Sequence, residues 1–367
     1  MTKAKTRKKI AVIGPVYPFK GGISHYTGLL VRALSERFKV RTVSYSMQYP
    51  KILFKKEQRN WEDDSFKIDG TEYLINTANP FNIIAAARNI NKWKPDLVII
   101  EWWHPYFAPC YQILCSALKS KVLFTCHNVF PHERFPMDRM LTKMTLKKGD
   151  YFILHSEREA DEIKTIIPHP AYRVNMHPTY NAFQMAPVTD RSSDEKIILF
   201  FGFVRPYKGL HVLIPAMAEC PDVRLMIVGD FGGHKAEYEA QIKECGIGDR
   251  TEIHDGYIPD NEVQKYFEQA DAVILPYIDA TQSGIAQIAF GFRKPVIATE
   301  VGGLPEVVTD GETGVLCKPN DPKALADSIK RFYEIREQVD FGKNIDSDSE
   351  RFSWGHMVNT ISELADL

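Results

Sequence analysis

The stretch FFGFVRPYKG, residues 200–209, ends an apolar run and sets Arg205 and Lys208 three residues apart, between Gly202 and Gly209. A guanidinium offers a planar fork of donors and an ammonium a mobile point charge, so the pair suits a diphosphate. The stretch ATQSGIAQIAF, residues 280–290, follows the run Ala270–Leu275 and then resumes an apolar pattern. Backbone N–H groups of Ser283, Gly284 and Ile285 then fall in the first turn of a helix, where unpaired donors and the helix dipole favour an anion. Thr281 or Gln282 is expected to cap that helix, and Gly284 leaves room for close approach of a ligand. Singly, the first stretch also reads as a solvated surface pair and the second as a strand-to-helix loop. Two such elements in one half of the chain favour a seat for a diphosphate. A third stretch, PVIATEVGGLPEVVTDGETGVL at residues 295–316, adds a tight turn at Gly302-Gly303 and a glutamate, Glu306, near the next helix start. That carboxylate either offsets the helix dipole or meets a sugar or ribose hydroxyl.

These groups need strands to carry them. Ile10–Ile13 reads as a buried strand, followed by the loop GPVYPFKGGISHY and a helical pattern through Tyr26, Leu29, Leu30, Ala33 and Leu34. The alternation recurs with strands at Lys39–Ser44, Asp96–Ile100, Lys121–Cys126 and Tyr151–His155, and helices at 82–93 and 108–119. Residues 181–195 turn polar and irregular, as a linker does. A second series follows, with strands at Lys196–Gly202, Val223–Gly229, Thr251–Gly256, Ala272–Pro276, Pro295–Thr299 and Gly314–Cys317. Amphipathic helices follow from Pro322 to Val339 and after Phe352-Ser353-Trp354, the last with Met357, Ile361 and Leu364 on one stripe. Short apolar runs alternating with helices predict α/β architecture: two Rossmann-like, doubly wound parallel-sheet domains facing a central cleft. The boundaries expected are 1–185 for the first domain, 186–345 for the second, and 346–367 for a helix crossing back to the first.

A chain of 367 residues exceeds one ordinary core, in keeping with two domains. With 44% hydrophobic and 25% charged residues and a formal net charge of -1, it lacks the field that nucleic acid would require. The cysteines Cys110, Cys115, Cys126, Cys220, Cys245 and Cys317 form no CxxC pair, so reduced thiols in a cytoplasmic protein are expected, without a zinc site. Neither a signal-peptide core nor a membrane-spanning run is present in the sequence.

The order GFVRPYKG, MIVGD, HDGYIP, ADAVILPY and KPVIATEVGGLPEVVTDGETGVL resembles the donor half of glycosyltransferase family 4, retaining enzymes of the B-type, two-Rossmann fold. The first half agrees more loosely. Gly21-Gly22 in FKGGISHY matches the family's glycine loop, and His127 in TCHN stands where that family carries a histidine contacting the donor sugar. The resemblance implies a UDP- or GDP-sugar donor and no cofactor or metal. It implies that Arg205, Lys208 and the helix start at Ser283-Gly284-Ile285 hold the departing diphosphate, and that Gly256, Tyr257 and Ile258 hold the base. There is one departure: the family's E-x7-E glutamates fall at Ala280 and Ile288, which leaves Asp279, Gln282, Gln287 and Glu306 as candidate replacements. The one DxD-like string, Asp346-Ser347-Asp348, reads as a solvated turn.

The acceptor side is carried by less specific residues. Glu101-Trp102-Trp103-His104-Pro105-Tyr106-Phe107 sets rings at a strand end, for stacking on a sugar or for core packing. Arg134, Arg139, Lys143 and Lys147 interleave with Met140, Leu141 and Met144, and Lys3, Lys5, Arg7, Lys8 and Lys9 share their sign. These suit peripheral contact of the N-terminal domain with the inner face of an anionic membrane, or a solvated basic face. The function expected is transfer of a sugar to a glycan or lipid-linked acceptor in cell-surface polysaccharide or glycoconjugate biosynthesis. A catalytically silent nucleotide-sugar-binding subunit and a sugar-nucleotide epimerase of the same fold are the competing readings. A nicotinamide dehydrogenase is disfavoured, because no G-x-G-x-x-G follows either first strand.

Overall fold

The computed structural model describes residues 7–50, 52, 58–61, 66–131, 134–180, 183, 186 and 195–367. The linker expected at 181–195 lies largely outside the described residues, as do Lys3 and Lys5. The chain forms two compact units, Met1–Met176 with Ser353–Leu367, and His177–Phe352.

In the first unit, β1 (Lys9–Ile13), α1 (Gly22–Arg37), β2 (Lys39–Met47), β3 (Glu72–Asn76), α2 (Pro80–Trp93) and β4 (Leu97–Trp102) come first. They are followed by α3 (Ala108–Ala117), β5 (Lys121–Cys126), α4 (Asp138–Leu146), β6 (Tyr151–Leu154), α5 (Glu157–Lys164) and β7 (Tyr172–Val174). The seven strands lie in the order β3-β2-β1-β4-β5-β6-β7, every pair parallel. Ile10 to Ile13 and all of Leu97–Trp102 are buried, as continuous apolar runs in a sheet covered on both faces should be. Helix boundaries follow local chemistry: Asn79 accepts from the Asn82 N–H to open α2 behind Pro80, and Lys94 in the left-handed region closes it.

The second unit holds β8 (Lys196–Phe201), α6 (Leu210–Ala218), β9 (Val223–Gly229), α7 (Lys235–Glu244), β10 (Thr251–Asp255), α8 (Val263–Gln269) and β11 (Ala272–Leu275). Next come α9 (Gly284–Gly291), β12 (Val296–Thr299), α10 (Leu304–Val307), β13 (Gly314–Cys317), α11 (Pro322–Ile335) and α12 (Phe341–Ser347). The sheet order is β10-β9-β8-β11-β12-β13, again all parallel. The two Rossmann-like sheets predicted from the sequence are thus present.

The final helix, α13 (Trp354–Ala365), belongs to the first unit. The Tyr26 ring of α1 meets Trp354 at 5.1 Å, and Thr360 Oγ1 donates to Asn175 Oδ1 at 3.0 Å. The DxD-like string is largely solvent-exposed as expected, but it starts inside a helix end rather than lying wholly in a turn. Asp346 and Ser347 end α12, Asp346 pairs with Arg293 at 3.0 Å, and Asp348 pairs with Arg351. In each sheet the strand order reverses beside the first strand, between β1 and β4 and between β8 and β11. Ligands of open α/β sheets sit beyond the carboxyl ends of strands at such points.

Candidate active site

In the second unit the reversal point joins the stretches singled out above. β8 stops at Phe201 and Gly202 follows at φ +103, a backbone state that L side chains rarely adopt. A Cβ built on Gly202 would lie 3.3 Å from Lys208 Nζ and 3.4 Å from Ile285 Cδ1. The strand end, the lysine and the start of α9 therefore converge on one point. The loop between them is clamped at Gly209, where φ is +70 and an added Cβ would stand 1.8 Å from the Pro276 carbonyl oxygen. Gly302 packs as closely, its notional Cβ 1.7 Å from the Ala280 carbonyl oxygen, and the Gly303 N–H donates to the Thr281 carbonyl at 2.9 Å. All three motifs thus meet through backbone contacts, which side-chain patterns alone do not specify.

Lys208 is buried beside the Tyr277 ring, its Nζ 5.7 Å from the centroid. Burial pushes its ammonium down to about 8, and the nearby Arg205 charge acts in the same direction. Arg205 itself is exposed. No carboxylate among the described residues offsets the Lys208 charge. Because the ammonium is charged below about 8 and neutral above, kcat/KM for an anionic donor is expected to fall as pH rises through that value. Initial rates at subsaturating donor on either side of it check this, and a flat profile contradicts it.

The capping expectation needs correction. The N-cap of α9 is Ser283, not Thr281 or Gln282, and its side chain makes no capping bond. The helix starts one residue later than a Gln282 cap requires, and the Ser283 hydroxyl instead faces the buried Tyr277 hydroxyl at 3.4 Å. The first-turn amides of α9 are left without intrahelical acceptors. Ala280 and Ile288 are buried; Gln287 is enclosed as well, accepting from Thr179 Oγ1 at 3.4 Å. Asp279, Gln282 and Glu306 are only partly buried, and the Glu306 carbonyl accepts from Arg351 at 2.6 Å.

Further along the strand ends, Gly256 has φ +129 and donates to the Gly229 carbonyl at 3.2 Å, and a Cβ on Gly229 would stand 1.9 Å from the Gly202 carbonyl oxygen. Three glycines therefore line the neighbouring ends of β8, β9 and β10. Tyr257 is exposed, its hydroxyl 3.4 Å from Asp260 Oδ1, and Ile258 is half-buried. Sequence reasoning missed Gly229 and Tyr277, although both close strands it had found.

In the first unit, Gly21 at φ +109 is the N-cap of α1 and Gly22 its first residue, and a Cβ on either would meet nothing within 4 Å. His127 follows β5, its N–H donating to the Trp102 carbonyl at 2.8 Å. Its Nε2 lies 2.7 Å from Glu101 Oε2. Burial pushes the imidazole down to about 3 and the Glu101 carboxyl well above the usual range. His155 on the adjoining strand end is likewise held down to about 3 by burial, with His127 acting the same way.

Of the ring-rich stretch, Trp102 and Phe107 lie in the core, while Trp103 and Tyr106 pack against it. The exposed rings lie elsewhere: Trp61 is 64% exposed and meets Tyr17 edge-on at 6.0 Å. The Asn60 N–H donates to the Pro18 carbonyl at 2.7 Å and the Lys20 N–H to Gln58 at 3.0 Å, which ties this segment to the loop carrying Gly21. On α4, Met140 and Met144 are exposed beside Arg139, Lys143 and Lys147, whereas Leu141 packs inward. Arg134 pairs with Asp138 and covers the Phe130 ring at 4.6 Å. Among the described residues no helix is long and apolar enough to cross a membrane, and no group of three or more His, Cys, Asp or Glu could hold a metal ion.

Comparison with known proteins assigns this pair of Rossmann-like sheets to a family. Residues 184–347 match the family described as glycosyl transferases group 1, and residues 20–179 match glycosyltransferase family 4. The chain belongs to these B-type glycosyltransferases. It is 28% identical over 228 residues to D-inositol 3-phosphate glycosyltransferase of Mycolicibacterium smegmatis, covering 61% of this chain and 51% of that one. The chain spans about half the length of the curated relatives it matches. In fold it is similar to sucrose-phosphate synthase from Thermosynechococcus elongatus, with a TM-score of 0.75 at 21% identity, covering 98% of each chain. It is also similar to Anabaena HepE in complex with UDP-glucose, with a TM-score of 0.76 at 19% identity, covering 98% of this chain and 100% of that one.

Proposed function

We propose that the protein is a retaining, metal-independent glycosyltransferase that moves a sugar from a nucleoside diphosphate sugar, UDP- or GDP-linked, to a glycan or lipid-linked acceptor. The observation that carries this reading is the convergence of Lys208 Nζ, Gly202 and Ile285 at the start of α9. Charge builds on the diphosphate as the sugar departs, and a desolvated ammonium, the Arg205 fork and first-turn amides stabilise that charge. Front-face attack needs no side-chain base, since the departing phosphate accepts the acceptor's proton. Gly256, Tyr257 and Ile258 flank the base, Gly21-Gly22 leave open space beside the acceptor, and His127 orients the sugar. The exposed Trp61 ring, edge-on to the half-buried Tyr17 beside that glycine loop, favours stacking on a sugar face.

The test is a screen of UDP- and GDP-sugars by thermal shift, followed by assay of nucleoside diphosphate release with and without acceptor. A stabilising donor whose release depends on acceptor supports transfer. Binding without release points to a silent subunit, and a changed sugar nucleotide without any acceptor points to an epimerase. Exposed methionines among cations on α4 favour contact with the cytoplasmic face of an anionic bilayer. Co-sedimentation with phosphatidylglycerol vesicles is expected, and is expected to be lost in the Lys143→Glu/Lys147→Glu double variant. Equal sedimentation with zwitterionic vesicles contradicts this contact.

A further inference from the structure

Glu101 is fully enclosed at the end of β4, with one carboxyl oxygen 2.7 Å from His127 Nε2 and the other, Oε1, without a hydrogen-bond partner. Its place is built by a glycine: a Cβ on Gly14 would stand 2.7 Å from Glu101 Cγ and 3.1 Å from Thr27. The imidazole also meets the Tyr26 ring edge-to-face at 4.6 Å and the His155 ring at 5.5 Å, while the His127 main-chain N–H is anchored on the Trp102 carbonyl. An enclosed carboxyl with one partner is costly, and leucine would fill similar volume without that cost. The histidine therefore gains something that packing does not supply.

We propose that Glu101 is a positioning residue for sugar transfer, fixing the ring orientation and the tautomer of His127. A carboxyl shut away from water keeps its proton and donates it to Nε2, which leaves the ring hydrogen on Nδ1. His127 then serves as a neutral donor of fixed direction, as outer partners of functional histidines commonly arrange. This inference rests on the reading of His127 as a contact to the donor sugar.

The test combines ring ¹⁵N NMR of His127 with kcat and donor KM for Glu101→Gln, Glu101→Leu and His127→Ala. In the wild type a neutral ring with hydrogen on Nδ1 is expected. Glu101→Gln, whose amide donates to Nε2 in the same way, is expected to keep that tautomer and most of the turnover. Glu101→Leu is expected to mix the tautomers and lower kcat by about 10- to 100-fold with little change in donor KM. A wild-type imidazolium, or hydrogen on Nε2, overturns the inference even if the leucine variant does not fold. So does a folded Glu101→Leu with wild-type kcat, or a Glu101→Gln as impaired as Glu101→Leu. Full turnover in His127→Ala removes the donor-contact reading itself. An inactive His127→Ala beside an active Glu101→Leu removes the positioning role alone.

Discussion

Lys208→Ala is expected to lower turnover by ~100-fold or more while leaving the protein as stable as the wild type or more so. The two effects have one cause. Holding a buried ammonium at about 8, against an ordinary 10.5, corresponds to roughly 3 kcal/mol by which the folded state disfavours the charge. That cost is fully present below about pH 8 and disappears as pH rises toward the unfolded value of 10.5. Alanine removes the cost together with the charge, so urea unfolding at neutral pH should show unchanged or increased stability. On the proposed reading a bound diphosphate supplies the missing counter-charge, and its affinity is what the wild type gains. Arg205→Ala is expected to lose turnover to a similar ~100-fold extent without gaining stability, since Arg205 is exposed. Turnover near wild type in both variants would remove these cations from the mechanism. A strongly destabilised Lys208→Ala would instead assign the lysine to packing.

Gly209→Ala is expected to cost at least ~2–3 kcal/mol of folding stability and to abolish most turnover. The new Cβ would stand 1.8 Å from the Pro276 carbonyl oxygen, where no flexible side chain is available to give way. Relief requires the turn bearing Lys208 to separate from the end of β11, which takes the ammonium away from the start of α9. Gly246→Ala is the control, because Gly246 shares a positive φ of +64 but its added Cβ meets nothing within 4 Å. It should cost only about 1 kcal/mol and leave kcat unchanged. Urea unfolding and initial rates on the pair separate the clash from the backbone preference; equal losses would contradict it.

The parallel strands were legible because burial on both faces writes them as unbroken runs such as Ile10–Ile13 and Ala272–Leu275. β3 and β7 were not read, since both are edge strands whose side chains are mostly exposed or half-buried, Ile75 alone in β3 being buried. Within the site, the residue types at 202–209 and 280–285 predicted an anion seat, but their meeting did not follow from spacing. It depends on Gly209 against Pro276 and Gly302 against Ala280, contacts between backbones far apart in sequence. The cap of α9 was misplaced because the helix start is decided by Ser283 turning toward Tyr277, a tertiary choice. Glu101 was read as part of an aromatic run. Its link to His127 arises because β4 and β5 pair in register, Trp102 beside Cys126, which sets the two side chains together at their carboxyl ends. In that run Trp102 lies in the core, and an exposed ring comes from elsewhere, at Trp61, which meets the half-buried Tyr17 edge-on.

The central claim is that one point in the second unit holds a diphosphate. A crystal structure with bound UDP or GDP, whichever the thermal-shift screen selects, tests it most directly. The distal phosphate is expected within hydrogen-bond distance of Lys208 Nζ and of first-turn amides of α9, with Arg205 closing over it. A fully occupied nucleotide whose phosphates contact neither Lys208 nor α9 would contradict the account.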